Sequence, residues 1–102
     1  MFNQVILIGH TGMDPEIKKL EQGKVIAKTS LATSERFMKN GETATETQWH
    51  QITAWGNLAQ VFEKYVTKGS KIQIVGQIKY NTYEKDGVKM YSTEIEIGRA
   101  HV

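Results

Sequence analysis

The chain has 102 residues, of which 39% are hydrophobic and 24% are charged. We therefore expect one globular domain over residues 1–102 with its own core, and we exclude a disordered chain. The formal net charge of +2 is too small to indicate a nucleic-acid partner by itself, and the absence of cysteine excludes disulfides and thiolate metal sites.

Apolar runs in the sequence are short. The longest of them, Val5–Ile8, is far below the roughly 20 residues that a membrane-spanning helix needs. The chain opens without the basic and apolar pattern of a secretory signal. We therefore expect a cytoplasmic protein that has no membrane partner.

Five segments have the alternation or the continuous apolar character of β-strands. They are Phe2–Gly9, Val25–Glu35, Gln48–Trp55, Lys71–Tyr83 and Val88–Ile97. A turn is expected at Asp14-Pro15, and a polar loop over Lys39–Glu46. Asn40-Gly41 and Asp86-Gly87 favour tight hairpin turns, so each is predicted to join the two strands around it.

One helix is predicted over Leu58–Lys68, with Asn57 as its N-cap and Gly69 at its end. Its apolar residues recur at helical spacing: Leu58, Val61, Phe62, Tyr65 and Val66. The element order is then three strands, a helix and two strands. That order predicts an all-β protein, an OB-fold: a five-stranded Greek-key barrel with one helix between strands 3 and 4.

Alternation along Gln48–Trp55 divides its side chains between two faces. The predicted core face has His50, Ile52 and Ala54, and the opposite face has Trp49, Gln51, Thr53 and Trp55. Exposed tryptophans suit the stacking of nucleic-acid bases, and nearby lysines suit their phosphates. The alternative is that both tryptophans lie in the barrel core or in a contact between subunits.

Aromatic and basic residues also occur together elsewhere. Lys79 and Tyr83 share the polar face of Lys71–Tyr83, and Phe37 follows Arg36 close to Lys39. These residues extend the predicted stacking surface to two further strands.

The sequence contains no motif that indicates a catalytic site or a metal site. His10, His50 and His101 are scattered, without partners at ligand spacing. The glycines form no phosphate-binding loop, and there is no cysteine or serine elbow to supply a nucleophile. We therefore expect no enzyme, no cofactor, no metal and no small-molecule substrate.

Several short motifs occur in a characteristic order. They are Asn3–Gly9, Asp14-Pro15-Glu16, Leu31–Glu35, Thr47–His50, Gly56–Ala59, Lys68-Gly69-Ser70, Val75–Ile78 and Tyr91–Glu94. In this order and spacing the chain resembles the bacterial-type single-stranded-DNA-binding proteins from Asn3 to Ile97. The resemblance implies sequence-tolerant binding and protection of single-stranded DNA during replication, recombination and repair.

The resemblance also assigns roles to particular residues. Base stacking would fall on Phe37, Trp49, Trp55 and Tyr83. Phosphate contacts would fall on Lys18, Arg36, Lys68 and Lys79, and also on Lys28 and Lys39. His50 would lie at a subunit interface of a homotetramer that wraps DNA around its outside.

Two features depart from typical relatives. Those continue into a tail with an acidic tip that recruits replication and repair proteins, whereas this sequence stops at Val102. We therefore do not expect tail-mediated recruitment by this chain, which would act in the bacterial nucleoid, or in host cytoplasm if phage-encoded. Gln51 and Asn57 stand where relatives carry basic residues, which predicts a larger share of the affinity from stacking.

Two other functions fit the same fold. A primosome-type accessory protein would be a dimer that lacks several stacking aromatics. An OB module for protein or oligosaccharide contacts would show no affinity for oligo(dT).

Overall fold

The computed structural model describes residues 1–101. Over these residues the chain forms six strands, one short 3₁₀ turn and one α-helix. In order they are β1 (Val5–Thr11), β2 (Glu16–Lys19), the 3₁₀ turn (Glu21–Gly23), β3 (Val25–Lys39), β4 (Glu42–Trp55), α1 (Asn57–Tyr65), β5 (Lys71–Lys85) and β6 (Val88–His101).

Five of the strands close into a barrel. They are hydrogen-bonded in the order β1-β5-β6-β4-β3. The circle closes where His10 and Thr11 of β1 pair with Ala32 and Leu31 of β3. The predicted all-β OB-fold, with one helix after the third barrel strand, is therefore confirmed.

The core fills the interior of this barrel. Leu31, Ile52, Ile72 and Ile74 are at most 1% exposed, and α1 closes one end of the barrel with Phe62. Burial of Ile52 confirms the predicted core face of β4, because alternate residues of a strand share one face.

Two hairpins extend beyond the barrel. Residues 33–48 of β3 and β4 pair only with each other, as do residues 79–94 of β5 and β6. We call these the β3–β4 arm and the β5–β6 arm. Their turns are Asn40-Gly41 and Asp86-Gly87, whose positive φ angles of 52° and 79°, and of 52° and 78°, confirm the predicted tight turns.

Each barrel strand has a core face and an outer face. On the arms, which contain no core, we call the continuations of these two faces the inner side and the outer side. Directly paired residues lie on the same face, so the register assigns every arm residue to one side.

Most strand boundaries differ from their predictions. The polar loop expected over Lys39–Glu46 is strand except at its turn, because both sides of an arm face water and no apolar alternation marks it. β1 begins at Val5 rather than Phe2, since the amide side chain of Asn3 instead bonds both backbone groups of Ile78, at 3.0 Å each. The edge strand β2 was not predicted, because Ile17 is its only apolar residue.

The helix is shorter than predicted, and its predicted caps are wrong. Gly56, with φ of 62°, occupies the N-cap, and Asn57 is already helical. The helix ends at Tyr65 because Val66 turns into extended backbone, where its side chain is 2% exposed. Lys68 and Gly69 therefore lie in the turn between α1 and β5.

Candidate nucleic-acid interface

The two tryptophans lie on the same outer face of the β3–β4 sheet. Trp49 is paired with Ala32 and Trp55 with Ile26. Their exposed fractions are 59% and 44%, which excludes the alternative that they fill the barrel core. They are six positions apart along β4, a distance of about 20 Å at the rise of a β-strand.

Basic residues lie beside and between the tryptophans. Lys18 of β2 pairs with Ile26, which in turn pairs with Trp55, so Lys18 lies two strands from that ring. Lys28 pairs with Thr53, which lies between the tryptophans and two residues from Trp55, and it has Glu16 as its neighbour on β2. The outer face therefore combines stacking rings with cations, one of which has an acidic neighbour.

The ring of Trp49 lies against the backbone of the loop after β1. A Cβ atom on Gly12 would lie 3.0 Å from Cη2 of Trp49, closer still to its Cζ3, and 2.7 Å from Oγ of Ser30. The Gly12 amide donates a hydrogen bond to the Ser30 carbonyl at 3.0 Å, which fixes the loop against β3. Only a glycine leaves room for the indole there, and no pattern in the sequence indicates this contact.

Thr53 was predicted to face solvent with the tryptophans, but it is buried, with 2% exposure. The cause is the parallel pairing of β4 with β6, which places Thr53 beside Glu96. The Thr53 hydroxyl donates a hydrogen bond to Glu94 Oε2 at 2.8 Å. At the middle of the outer face, Thr53 is therefore buried in a hydrogen bond with Glu94 and is not exposed to solvent.

Lys79, a predicted phosphate contact, has an acidic partner in this structure. Its Nζ lies 2.8 Å from Oε2 of Glu96. The hydrogen bond to Glu96, then the charge of Glu96, and more weakly the charge of Glu94 raise the pKa of Lys79 above its ordinary value. The lysine therefore keeps its positive charge, but a phosphate would have to compete with a carboxylate for it.

The β3–β4 arm carries its predicted site residues on both sides. Arg36, paired with Thr45, lies on the outer side, in line with Trp49. Phe37, paired with Ala44, lies on the inner side together with Lys39. Phe37 is exposed, but the arm separates it from the tryptophan face.

The remaining predicted residues lie at the margins. Tyr83 is exposed on the outer side of the β5–β6 arm, opposite Met90. The backbone N–H of Lys68 donates to Oδ1 of Asp14 at 2.8 Å, which ties the turn after α1 to the loop after β1. His50 is half-buried, and its Nε2 lies 2.9 Å from the Thr33 hydroxyl.

The structure thus brings together one part of the predicted set. The outer face joins Trp49, Trp55, Lys18, Lys28 and Arg36 in one surface. Phe37 and Lys39 lie across the β3–β4 arm, and Tyr83, Lys68 and Lys79 lie at other edges. Sequence reasoning missed Gly12, Thr53 and the partner role of Glu96, all of which depend on contacts between distant strands.

No group of three or more histidine, aspartate or glutamate side chains within residues 1–101 is arranged to hold a metal ion. No helix in this part of the chain is long and apolar enough to cross a membrane.

Comparison with known proteins gives concordant matches. Residues 2–102 match the sequence profile described as "Single-strand binding protein family". Single-stranded DNA-binding protein 1 of Chlorobaculum tepidum is 41% identical over 96 residues, which cover 91% of this chain. The chain spans 59% of the length of that relative.

A solved structure is also similar over nearly the whole chain. It is described as "Plasmodium falciparum SSB complex with ssDNA", and it superimposes with a TM-score of 0.88 at 29% identity. The match covers 99% of this chain and 92% of the other.

The contact between Gly12 and Trp49 predicts a specific effect of one methyl group. In a Trp55→Phe background, where Trp49 is the only tryptophan, Gly12→Ala should push the indole off the loop and shift its emission to longer wavelength. Gly98→Ala is the matched control, because its added Cβ would lie at ordinary contact distance, 3.6 Å, from the Val75 carbonyl oxygen. Identical emission spectra for the two variants would contradict the contact.

Proposed function

The chain belongs to the single-strand binding protein family, and from this premise we propose that it binds single-stranded DNA without sequence preference. One OB-fold over residues 1–102 is the binding unit. It acts as a binding protein rather than an enzyme, and it protects the strand in the cytoplasm during replication, recombination and repair.

The observation that carries this proposal is the pair of exposed tryptophans on one face. Exposing a large aromatic ring to water is unfavourable, and burial of the ring against a ligand recovers that free energy. Two rings about 20 Å apart on one β-strand can each stack against one base. Every base presents a π-face, so stacking of this kind tolerates any sequence. The Plasmodium falciparum protein of the same fold was solved with single-stranded DNA, which supports the proposal.

Basic side chains along the same face can contact the phosphates of the bound DNA strand. The phosphates run past Lys18 and Lys28 beside the tryptophans, and on to Arg36 on the outer side of the β3–β4 arm. Phe37 and Lys39 contact the DNA on the inner side of the β3–β4 arm. Tyr83 provides a further stacking ring on the β5–β6 arm. Lys68 and Lys79 contribute phosphate contacts at the edges.

We propose further that the chain assembles into a homotetramer. Among residues 1–101, the stretch of β1 from Val5 to Gly9 pairs with β5 alone, so its other edge is open within this part of the chain. Ile6 and Ile8 lie exposed on the outer face of this strand. An open strand edge beside exposed apolar side chains suits pairing with a second copy about a two-fold axis. His50 belongs to the subunit contacts of the tetramer.

The stacking role predicts the effect of removing one ring. Trp49→Ala should weaken binding of oligo(dT) by about 1–3 kcal/mol, because one stacked base is lost. Trp49→Phe keeps an aromatic surface and should retain most of the affinity. Affinity is measured by fluorescence anisotropy of a labelled oligo(dT), and thermal unfolding checks that each variant is folded. A folded Trp49→Ala protein with unchanged affinity would remove Trp49 from the site.

The pairing of Lys79 with Glu96 predicts opposite effects of two charge changes. Glu96→Gln should tighten oligo(dT) binding and steepen its salt dependence, because it frees Lys79 for a phosphate. Lys79→Gln should reduce the slope of log K against log salt by about 0.7, the contribution of one phosphate contact on a single strand. Lys64→Gln on α1 is the control for a lost surface charge. Slopes that match this control in both variants would exclude Lys79 as a phosphate contact.

The homotetramer depends on the outer face of β1. Ile8→Glu should lower the mass of the assembly below four chains, because it places a charge on the surface that the copies bury. Val61→Glu is the control, since Val61 is an exposed apolar residue on α1. Light scattering after size exclusion gives the mass, and circular dichroism verifies the fold. A tetramer that persists in folded Ile8→Glu would place the subunit contact elsewhere.

A further inference from the structure

Two tyrosines on the β5–β6 arm have no part in the surface described so far. Tyr80 is 78% exposed and Tyr91 is 71% exposed. Tyr80 pairs with Thr93, and Tyr91 pairs with Thr82, so both rings lie on the inner side at diagonal positions of neighbouring strands. Side chains at such diagonal positions are within reach of each other.

The surroundings of the tyrosines connect them to Tyr83. Lys89 Nζ lies 5.7 Å from the ring centroid of Tyr91. Lys89 also lines a hollow together with Thr82, Tyr83 and Glu84. Three of these residues belong to the inner side and Tyr83 to the outer side, so the hollow is lined from both sides of the arm.

We propose that Tyr80 and Tyr91 form a second base-stacking surface for single-stranded DNA, so that the β5–β6 arm carries stacked bases on both of its sides. The proposal rests on the proposed function and extends it to a part of the molecule outside the tryptophan face. Phe37 lies on the inner side of the other arm, so each arm presents an aromatic ring on that side.

The size of the surface favours a nucleic-acid base over a protein partner. A tyrosine buries about 150–250 Å² at most, so two of them fall well short of the roughly 800 Å² that each partner contributes to a stable protein interface. One base, in contrast, needs only one ring face to stack on.

The charges on the inner side of the arm determine how binding at Tyr80 and Tyr91 should depend on salt. Lys89 is directly opposite Glu84 in the register, so the two charges largely offset each other around the rings. Affinity gained on this surface therefore comes from stacking and depends little on salt, unlike affinity gained at Lys18 or Lys28.

The test is the affinity of a long oligo(dT) for Tyr80→Ala/Tyr91→Ala, titrated by tryptophan quenching at several salt concentrations. We expect the affinity to fall about fivefold or more, as the loss of one stacked base implies. The salt slope and the maximal quenching of the tryptophans should stay unchanged. Tyr80→Phe/Tyr91→Phe should bind like the wild type, because stacking needs the ring and not the hydroxyl.

Tyr65→Ala is the matched control. Tyr65 is an exposed tyrosine on α1 with Lys64 Nζ 5.4 Å from its ring centroid, but it lies off both arms. If the double variant binds oligo(dT) like this control while the wild type binds normally, the second surface is wrong and the proposed function stands. If the wild type itself does not bind, both are wrong. A lower assembly mass of the double variant without DNA would overturn the proposal in favour of a subunit contact.

Discussion

Burial of Ile52 and Ala54 inside the closed barrel determines where the tryptophans lie. Successive side chains of a strand point to opposite faces, so fixing these two residues in the core turns Trp49 and Trp55 outward. Barrel closure through the pairing of β1 with β3 then holds the β3–β4 sheet rigid beneath both rings. The loop at Gly12 packs against Trp49, which restricts the positions open to that ring and so lowers the entropy that it would lose on stacking against a base.

Acidic neighbours limit how much of the affinity charge can supply. Lys28 has Glu16 beside it, and Lys79 is paired with Glu96. Lys79 can therefore contact a phosphate only in competition with a carboxylate, whereas the charge of Glu16 only lowers the positive potential around Lys28. Stacking on the exposed rings meets no such competition, so we expect it to supply a large part of the proposed interaction.

Local patterns of the sequence were enough to predict the barrel. Alternation identified the core face of β4, and Asn40-Gly41 and Asp86-Gly87 located both hairpin turns. The β5–β6 arm was predicted to within a few residues, but most of the β3–β4 arm was not, because its residues show no apolar alternation. Of the predicted site, the exposure of the tryptophans followed from alternation. Burial of Thr53 did not, because it depends on the pairing of β4 with β6, which no local pattern encodes.

The most direct test of the account is a titration of the wild-type protein with oligo(dT), followed by its tryptophan fluorescence, with duplex DNA of the same length as the control. Bases stacked on Trp49 and Trp55 should quench their emission strongly, and the duplex should quench little because its bases are already stacked and paired. Strong quenching by the single strand alone is therefore the expected result. Equal responses to both DNAs, or no response to either, would contradict it.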